Sequence, residues 1–432
     1  MKILHITPHL GGGVGNVIIN WILNDKSNTH SIMSFGYSYE NIKSLCNENN
    51  IPLTDNVKAE QILNVIPDAD IVIVHYWNFP TLIKFLVKNK LPDCRLITWC
   101  HISGFHGPYT IPDSIVEMSD KFVFTSPISY DLDVMKSFPK EKFTDIWSTR
   151  GTEKYQNVVK KEHDRFNILY AGTLDFSKLD CNFALLCHLI LQEIPEASFI
   201  VCGTGSHEEN LKRHLEGKAI RDKFQFTGWV DDLTPYFEIA DVFLYPMQFK
   251  SFSTCEQVLG EAMMSGIIPV VFNNKAELEI VKNEVTGFVV DNIDECVDKI
   301  VDLYKNKKIN KYSQLSENAK LSALEKYSMG KMVYKWNKLF DEIIKEEKTE
   351  KQWKRCKGGA YERGVWCFLE SLDNNTSKLF SNYIESKRAI KYMFIENPQW
   401  HSKSKGSVYQ YLEYFSKDEY LNDFKRIMEE IE

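Results

Sequence analysis

The chain has 432 residues, of which 44% are hydrophobic and 26% are charged, and its formal net charge is -7. This length exceeds what a single hydrophobic core usually supports, so we expect two domains and an additional segment. The negative charge argues against a dedicated nucleic-acid binder, because binding to a phosphate backbone requires a basic surface.

Signals for export and membrane insertion are weak. The N-terminal stretch MKILHITPHLGGG is too short an apolar run for a signal peptide, and no later window approaches about 18 apolar residues. The ten cysteines include no CxxC pair, as is typical of proteins in a reducing compartment. We therefore expect a cytoplasmic location, with room for peripheral contact at the inner face of a membrane.

The first 150 residues alternate between short apolar runs and amphipathic stretches. The candidate strands are KILHIT, SIMSF, DIVIVHYW, RLITWCH and KFVFTS. Continuous apolar strands separated by helices indicate a parallel sheet that is covered on both faces. We assign residues 1–150 to an N-terminal Rossmann-like domain and the polar residues 151–165 to a linker.

The same alternation resumes after the linker. Its candidate strands are FNILYAG, SFIVCG, FQFTG, DVFLYP, IIPVVF and GFVV. They predict a second Rossmann-like domain over residues 166–328. A helix over 329–350 then returns toward the first domain, and residues 351–432 form a helical C-terminal extension of unknown role.

The charge run KEEKTEKQWKRCK connects the second domain to the extension. We favour a solvated linker helix for this run. The alternative is contact with an acidic lipid or acceptor through Lys351, Lys354, Arg355 and Lys357.

A glycine-rich loop, HLGGGVGN, follows the first strand and opens a helix. Glycines let a backbone approach a ligand closely, and the helix N-terminus offers free N–H groups to an anion. A dinucleotide fingerprint needs G-x-G-x-x-G, and Gly11 and Gly13 fit it, but Asn16 replaces the third glycine. The second strand also ends in SFGYSYE without an acidic tip, so a dehydrogenase is disfavoured. A tight turn without a ligand remains an alternative.

The stretch SFSTCEQVLGEAMMSGIIPVVF leads from a small-residue turn into a helix and a buried strand. Ser253 and Glu256 match the S-x-x-E capping box, which predicts a helix that starts at Ser253 with a structural role for Glu256. Glu261 lies about two turns along that helix, too deep to cap it. Its carboxylate is suited either to pairing with a lysine or to accepting hydrogen bonds from a ribose diol.

The second half resembles the C-terminal domain of GT-B glycosyltransferases, in particular the retaining family 4. The segments that carry the resemblance are LYAGTLDFSK, IVCGTGSHEENL, FQFTGWVDDLTPYFEIADVFLYP, EQVLGEAMMSGIIPVVF and ELEIVKNEVTGFVV. HLGGGVGN and TWCHISG are similar to its N-terminal glycine loop and active-site histidine region. The resemblance covers about residues 1–345 and implies an α/β GT-B fold of two doubly wound parallel-sheet domains that face a cleft.

The resemblance implies a role for several residues. Glu261 matches the second glutamate of the E-x7-E signature, which binds the nucleotide ribose, and Lys178 matches the phosphate-binding lysine. Gly12 and Gly13 match the glycine loop, and His101 is the candidate for the histidine near the transferred sugar. His101 and Lys178 are the candidate catalytic residues. The other candidate donor-site positions are Thr173, Gly205, Ser253, Thr254, Cys255, Glu256 and Val258.

Two other histidines could match the active-site histidine of the family, because His75 and His106 lie near His101 in the sequence.

Two positions depart from the family pattern. Ser253 stands where the family has its first signature glutamate, and Thr173 stands where it has a phosphate-binding arginine. Losing an arginine removes a bidentate clamp on a diphosphate, and a helix N-terminus compensates by only about 0.3–2 kcal/mol. Glu256 is the nearest carboxylate that could replace the missing one.

The resemblance implies a retaining, metal-independent, hexosyltransferase-like enzyme. A nucleotide-diphosphate sugar, with a UDP-sugar preferred, is its donor, and no separate cofactor is expected. The acceptor is a glycan or a lipid-linked molecule of an envelope polysaccharide or glycoconjugate pathway. The segments DNID and VDDL are simply turn and cap residues, so no metal site is predicted.

Two other classes compete with the transferase. Thr173 and Ser253 motivate a non-catalytic GT-B partner subunit that binds acceptor or stabilises an active enzyme. The survival of Lys178, Glu261 and the glycine loop argues against it. A sugar-nucleotide epimerase or a phosphorylase on the same fold is less favoured, because a phosphorylase would need a pyridoxal lysine or a clear phosphate cluster.

Overall fold

The computed structural model describes residues 1–307, 311–354, 364–400 and 405–430. They divide into two compact units, one formed by Met1–Arg150 with Gly330–Glu432 and the other by Gly151–Met329. Every one of the eleven predicted strands is present. Two Rossmann-like parallel-sheet domains and a helical C-terminal region are therefore confirmed.

Seven parallel strands form the main sheet of the first unit, in the order β3-β2-β1-β4-β6-β7-β8. The strands of this sheet are β1 (Lys2–Thr7), β2 (Thr29–Ser34), β3 (Leu53–Thr54), β4 (Ile71–Tyr76), β6 (Leu96–Cys100), β7 (Lys121–Phe124) and β8 (Phe143–Asp145), and β5 (Leu91–Cys94) lies outside it. The helices are α1 (Gly12–Asn24), α2 (Glu40–Glu48), α3 (Ala59–Val65), α4 (Pro80–Lys88), α5 (Asp113–Met118) and α6 (Asp133–Lys136). Every residue of β4 is buried, as expected for a strand covered on both faces.

Six parallel strands form the sheet of the second unit, in the order β11-β10-β9-β12-β13-β14. The strands are β9 (Phe166–Ala171), β10 (Ala197–Cys202), β11 (Phe224–Gly228), β12 (Val242–Tyr245), β13 (Ile268–Phe272) and β14 (Phe288–Val290). The helices are α7 (Phe183–Glu193), α8 (Glu208–Gly217), α9 (Thr234–Phe237), α10 (Gln257–Met264), α11 (Lys275–Ile280), α12 (Ile293–Asn306) and α13 (Ser313–Lys326).

The C-terminal part of the chain belongs to the first unit. Its elements are α14 (Met329–Ile343), β15 (Thr349–Lys351), α15 (Gly364–Glu370), α16 (Asn374–Ser381), α17 (Tyr383–Ile395), α18 (Val408–Tyr414) and α19 (Glu419–Glu429). The Trp336 ring of α14 stacks on Trp21 of α1, with ring centroids 4.4 Å apart. The extension has its own aromatic core, in which Phe380 packs 4.8 Å from Phe424.

The solvated linker helix predicted for the charge run is wrong in its described part. The chain leaves α14 at Ile343, and β15 pairs antiparallel with β5. Lys351 is 5% exposed and its Nζ lies 2.5 Å from Asp120 Oδ1, while Lys354 pairs with Glu117. Strand pairing and these ion pairs outweigh the helical pattern of the local sequence. Residues 355–363, which include Arg355 and Lys357, lie outside the described residues.

Candidate active site

The strand order of the second unit reverses between β9 and β12. In open α/β sheets, ligands bind outside the carboxyl ends of the strands at such a switch point. The segment after β9, residues 172–182, and the segment after β12, residues 246–256, both leave the sheet at this edge. Lys178 lies on the first segment, whereas Ser253 and Glu256 lie on the second.

Backbone hydrogen bonds join these two segments. The N–H of Asp180 donates to the carbonyl of Pro246 at 3.0 Å, and the N–H of Gln248 donates to the carbonyl of Lys178 at 2.6 Å. The N–H of Lys178 itself donates to the carbonyl of Asp175 at 2.9 Å. The carbonyl of Lys178 is therefore bonded to the β12 segment, and its N–H is bonded within its own segment.

The Lys178 side chain forms a buried ion pair with Glu256. Its Nζ lies 2.7 Å from Glu256 Oε2, and the two side chains are 17% and 8% exposed. The hydroxyls of Tyr245 and Ser253 also bond to the Glu256 carboxylate. Burial alone would raise the pKa of Glu256, but the Lys178 charge and these hydrogen bonds hold that pKa below its ordinary value. Glu256 is thus ionised, with Tyr245 as a partner that the sequence did not single out.

The capping box predicted for Ser253 and Glu256 is wrong. Helix α10 begins at Gln257, and Glu256 is its N-cap residue, without a side-chain cap hydrogen bond. Ser253 lies four residues before the helix, where its Oγ accepts from Ser251 Oγ at 2.8 Å. The Lys178 ammonium and the Tyr245 hydroxyl are stronger partners for a carboxylate than one backbone N–H, so the tertiary contact displaces the local cap.

A second buried carboxyl group, Glu277 of α11, lies in the electrostatic field of Glu256. It is completely buried, and among the described residues neither of its carboxyl oxygens has a hydrogen-bond partner. Burial and the negative charge of Glu256 raise the pKa of Glu277 to about 8. Glu277 is therefore a neutral acid at pH 7. The segment ELEIVKNEVTGFVV, which begins at Glu277, was the available sequence signal for this residue.

Two glycines let the segment after β10 pass close to the segment after β9. A Cβ atom on Gly203, whose φ is +142°, would lie 1.9 Å from the carbonyl oxygen of Gly172. A Cβ atom on Gly205 would lie 2.3 Å from the carbonyl oxygen of Leu174. Gly205 is therefore required for loop packing, whether or not it contacts a ligand. Thr173, between these contacts, has an exposed side chain.

The remaining donor-site candidates of the second unit lie around the start of α10. Glu261 is in the second turn of the helix and is completely buried. Cys255 is 7% exposed, whereas Thr254 and Val258 are half-buried. The structure thus brings both Lys178 and Ser253 into direct contact with Glu256, and it places Glu261 on the helix that Glu256 caps.

The glycine loop of the first unit has the predicted strand-to-helix geometry. It connects β1 to α1, whose first residue is Gly12. Gly12 has a φ of +61°, a left-handed conformation that favours glycine. A Cβ atom on either Gly12 or Gly13 would meet nothing within 4 Å. This turn leaves open space beside its backbone.

Three candidate histidines of the first unit have different environments. His75 is completely buried within β4, His101 follows β6 and is 8% exposed, and His106 is half-buried on the next loop. The Nδ1 atom of His75 lies 3.1 Å from the Nε2 atom of His101. Burial, and then the charge of Lys405, lowers the pKa of His101 to about 3, so its imidazole is neutral. Because His101 follows β6 whereas His75 lies within β4, His101 is the histidine of this pair at the edge of the sheet.

Comparison with known proteins supports one class of protein. The model of the family described as Glycosyl transferases group 1 matches residues 151–322. The fold of the chain is GT-B, as in the crystal structure of Anabaena HepE in complex with UDP. That likeness has a TM-score of 0.63 at 14% identity, over 79% of this chain and 100% of HepE. These findings support the prediction of a GT-B glycosyltransferase.

Two curated relatives match nearly over their whole length. An uncharacterized 41.2 kDa protein in the cps region of Klebsiella pneumoniae is 23% identical over 378 residues, 79% of this chain and 99% of the relative. The O-antigen biosynthesis glycosyltransferase WclY of Escherichia coli is 20% identical over 372 residues, 80% of this chain and 99% of the relative.

The described ranges contain neither a membrane-spanning helix nor a group of metal-ligating side chains. Across residues 1–307, 311–354, 364–400 and 405–430, no helix combines the length and the apolar character needed to cross a membrane. In the same four ranges, no three histidine, cysteine, aspartate or glutamate side chains are grouped as ligands for a metal ion.

Proposed function

We propose that this chain is a retaining glycosyltransferase that moves a sugar from a nucleotide-diphosphate sugar to a glycan or lipid-linked acceptor. The observation that carries the proposal is the ion pair between Lys178 and Glu256 at the carboxyl edge of the β9–β12 switch point. A cation and an anion meet there on two segments joined by backbone hydrogen bonds, at the position where open α/β sheets bind ligands.

Lys178 has the chemistry to stabilise the leaving diphosphate. As the bond between the sugar and the diphosphate breaks, negative charge grows on the phosphate oxygens, and a fixed ammonium lowers the energy of that state. In the structure, Glu256 contacts the Lys178 ammonium at 2.7 Å. This contact keeps the Lys178 side chain ordered before a donor binds. Attack from the same face, with the leaving phosphate taking the acceptor proton, would retain the configuration of the sugar.

Glu256 has the chemistry to replace the signature carboxylate that is missing at Ser253. It carries no helix-cap hydrogen bond, it is ionised, and the Ser253 hydroxyl bonds to it. A carboxylate at this site can accept hydrogen bonds from sugar hydroxyls. We assign Glu256 to the donor sugar and Glu261 to the nucleotide ribose.

The relatives support the choice of donor and acceptor. HepE, with the same fold, is described in complex with UDP, which favours a UDP-sugar here. WclY is named for O-antigen biosynthesis, and the Klebsiella protein is named for the cps region. We therefore propose an acceptor in the synthesis of an envelope polysaccharide, with a cytoplasmic location and without a metal ion.

Calorimetric titration of the full chain with UDP, GDP, ADP and CMP tests the donor site. We expect one nucleotide, UDP, to bind without added metal and Glu261→Ala to weaken that binding at least tenfold. Glu279→Ala, a change on the exposed side of α11, serves as the matched control and should leave binding unchanged. The absence of binding to any of the four nucleotides by folded protein would contradict the transferase proposal.

A non-catalytic GT-B partner subunit is the second candidate. The exposed Thr173 favours it, because an arginine clamp on the diphosphate is missing there. A screen of UDP-sugars for release of UDP separates the two candidates. A transferase should release UDP from one sugar nucleotide at a rate that rises with acceptor glycan, whereas a partner subunit should release none.

A further inference from the structure

Four histidines form a continuous hydrogen-bonded row across the sheet of the first unit. His30 lies on β2, His5 on β1 and His75 on β4, while His101 directly follows β6. The nitrogen pairs are His30 Nδ1 with His5 Nε2 at 2.9 Å, His5 Nδ1 with His75 Nε2 at 3.0 Å, and His75 Nδ1 with His101 Nε2 at 3.1 Å. All four side chains are at most 8% exposed.

The row ends on a carboxylate. Asp25 Oδ2 lies 3.2 Å from His30 Nε2, and the Asp25 side chain is 4% exposed. Asp25 also accepts from the N–H of Ser27 at 3.0 Å and from Asn28 Nδ2 at 2.8 Å. These hydrogen bonds, with His30, hold the pKa of Asp25 well below its usual range although burial opposes it. Asp25 is therefore an acceptor that cannot donate.

This acceptor imposes one direction on the whole row. A neutral imidazole has one N–H and one bare nitrogen, and each nitrogen pair needs exactly one proton between them. Asp25 requires a proton on His30 Nε2, which leaves His30 Nδ1 to accept from His5 Nε2. The same rule then places the proton on Nε2 of His75 and of His101. It leaves Nδ1 of His101 as a bare acceptor.

Burial favours the neutral form of His5, His75 and His101. The pKa values of His5 and His75 are lowered well below the ordinary value, by burial and then by neighbouring histidines. Trp21 packs edge-on against His5, with ring centroids 5.2 Å apart, and Trp99 packs 4.7 Å from His101. The charge of Lys405, whose Nζ lies 5.3 Å from the Trp77 ring, also lowers the pKa of His101.

We propose that Asp25, His30, His5 and His75 are positioning residues that fix the tautomer of His101, and that the four histidines form a proton relay from His101 Nδ1 to His30, beside the Asp25 carboxylate. His101 bonds to His75 through Nε2, so Nδ1 is the ring nitrogen left for a hydroxyl group of a bound substrate. The use of that nitrogen by a sugar acceptor rests on the proposed transferase function, but the relay itself does not.

The relay balances as a series of proton transfers. When His101 Nδ1 takes up a proton, His101 passes its Nε2 proton to Nδ1 of His75. His75 passes its Nε2 proton to Nδ1 of His5, and His5 does the same to Nδ1 of His30. The net product is one imidazolium at His30, in direct contact with the Asp25 carboxylate. Opposite charges stabilise that product, while the intermediate rings end neutral.

Nuclear magnetic resonance of the full chain with isotope-labelled histidine nitrogens tests the relay without any substrate. In the wild type we expect through-hydrogen-bond nitrogen–nitrogen couplings for the three histidine pairs, and Nε2–H tautomers at all four rings. Missing couplings, or an Nδ1–H tautomer at His101, would overturn the proposal. The wild-type spectrum tests the relay even if the variants fail to fold.

Asp25→Asn provides the sharper test. Asn28 Nδ2 also donates to Asp25 Oδ2, so Asp25→Asn is made together with Asn28→Ala. The backbone N–H of Ser27 then demands an oxygen at the Oδ1 position, and the NH2 group faces His30 Nε2. His30 must then accept, and the row should reverse so that His101 carries its proton on Nδ1. In a His5→Leu background, Asp25→Asn should leave His101 unchanged, because the row is interrupted.

His214 of α8, outside the row, is the internal control and should keep its tautomer in every variant. An unchanged His101 in Asp25→Asn, alongside a changed His30, would show that no relay connects them. Loss of nucleotide binding in the titration above, with the couplings intact, would reject the transferase and leave the relay standing.

Discussion

Lys178 and Glu256, which are 78 positions apart in sequence, meet as a buried ion pair at the β9–β12 switch point of the second unit, with Nζ 2.7 Å from Oε2. The pair has a structural consequence as well as a functional one. Breaking one side of a buried pair leaves an uncompensated charge, which costs about 3–5 kcal/mol in fully buried examples.

We expect Lys178→Met to lower the free energy of unfolding by about 2–4 kcal/mol, since Glu256 loses its cation while it stays buried. Urea denaturation measures the change. In a Glu256→Gln background the same substitution should cost less, giving a coupling energy of roughly 1–3 kcal/mol. Lys212→Met, which breaks surface pairs with Glu208 and Glu209, is the control and should cost less than about 1 kcal/mol. Equal costs for Lys178→Met in both backgrounds would show that the pair is not energetically coupled.

Glu277 should make stability depend on pH. Its folded pKa of about 8 lies above the ordinary value of 4.5, so the folded state binds more protons between these pH values. Its stabilising contribution is complete below pH 4.5 and is lost as pH rises through about 8. Glu277→Gln removes the titrating proton while it keeps the shape of the neutral acid.

We therefore expect the stability of Glu277→Gln relative to wild type to rise with pH, at up to about 1.4 kcal/mol per pH unit. Urea midpoints at three pH values between about 5 and 8 measure this difference. Glu279→Gln, on the same helix but half-exposed, should show no such trend. A Glu277→Gln difference that stays constant with pH would mean that Glu277 is ionised in the folded protein.

The contrast between Ser253 and Lys178 shows what could be predicted from sequence. Strands and glycine turns were predictable because their signals are local: a run of apolar residues, or a glycine between a strand and a helix. The S-x-x-E pattern is also local, but Glu256 found stronger partners in Lys178 and Tyr245. Such partners come together only through strand order. The row from His30 to His101 likewise depends on the lateral order of the four strands β2, β1, β4 and β6, which no local pattern contains.

Close backbone approach at Gly203 should make Gly203→Ala severely destabilising. The added Cβ would lie 1.9 Å from the Gly172 carbonyl oxygen, and a φ of +142° is itself strained for alanine. We expect a loss of more than about 3 kcal/mol, or failure to fold, measured by thermal and urea unfolding.

Gly217→Ala is the matched control for that substitution, because an added Cβ there would meet nothing within 4 Å. Gly217 ends α8, where alanine is a better helix former, so the control should be neutral or gain up to about 1 kcal/mol. Similar stabilities for both variants would show that the β9 and β10 segments can separate without cost.

Asn78 joins the C-terminal extension to the sheet edge of the first unit. The completely buried side chain donates from Nδ2 to the carbonyl of Pro108 at 2.9 Å and to Ser371 Oγ at 3.0 Å. Its Oδ1 accepts from Tyr411 Oη at 2.9 Å. Removing the Asn78 side chain leaves its buried partners unsatisfied. They lie on the loop after β6, on α18 and just beyond α15. Each unsatisfied group costs about 1–3 kcal/mol.

We expect Asn78→Ala to destabilise the chain by about 3 kcal/mol and to expose the extension first. Hydrogen exchange should speed up in residues 364–400 and 405–430 before it changes in the central strands β1 and β4. Asn89→Ala is the control, because the Asn89 amide donates to the carbonyl of Phe85 at the end of α4, and the substitution should cost less than about 1 kcal/mol. If exchange instead sped up uniformly through the first unit, the extension would unfold together with the sheet as one cooperative body.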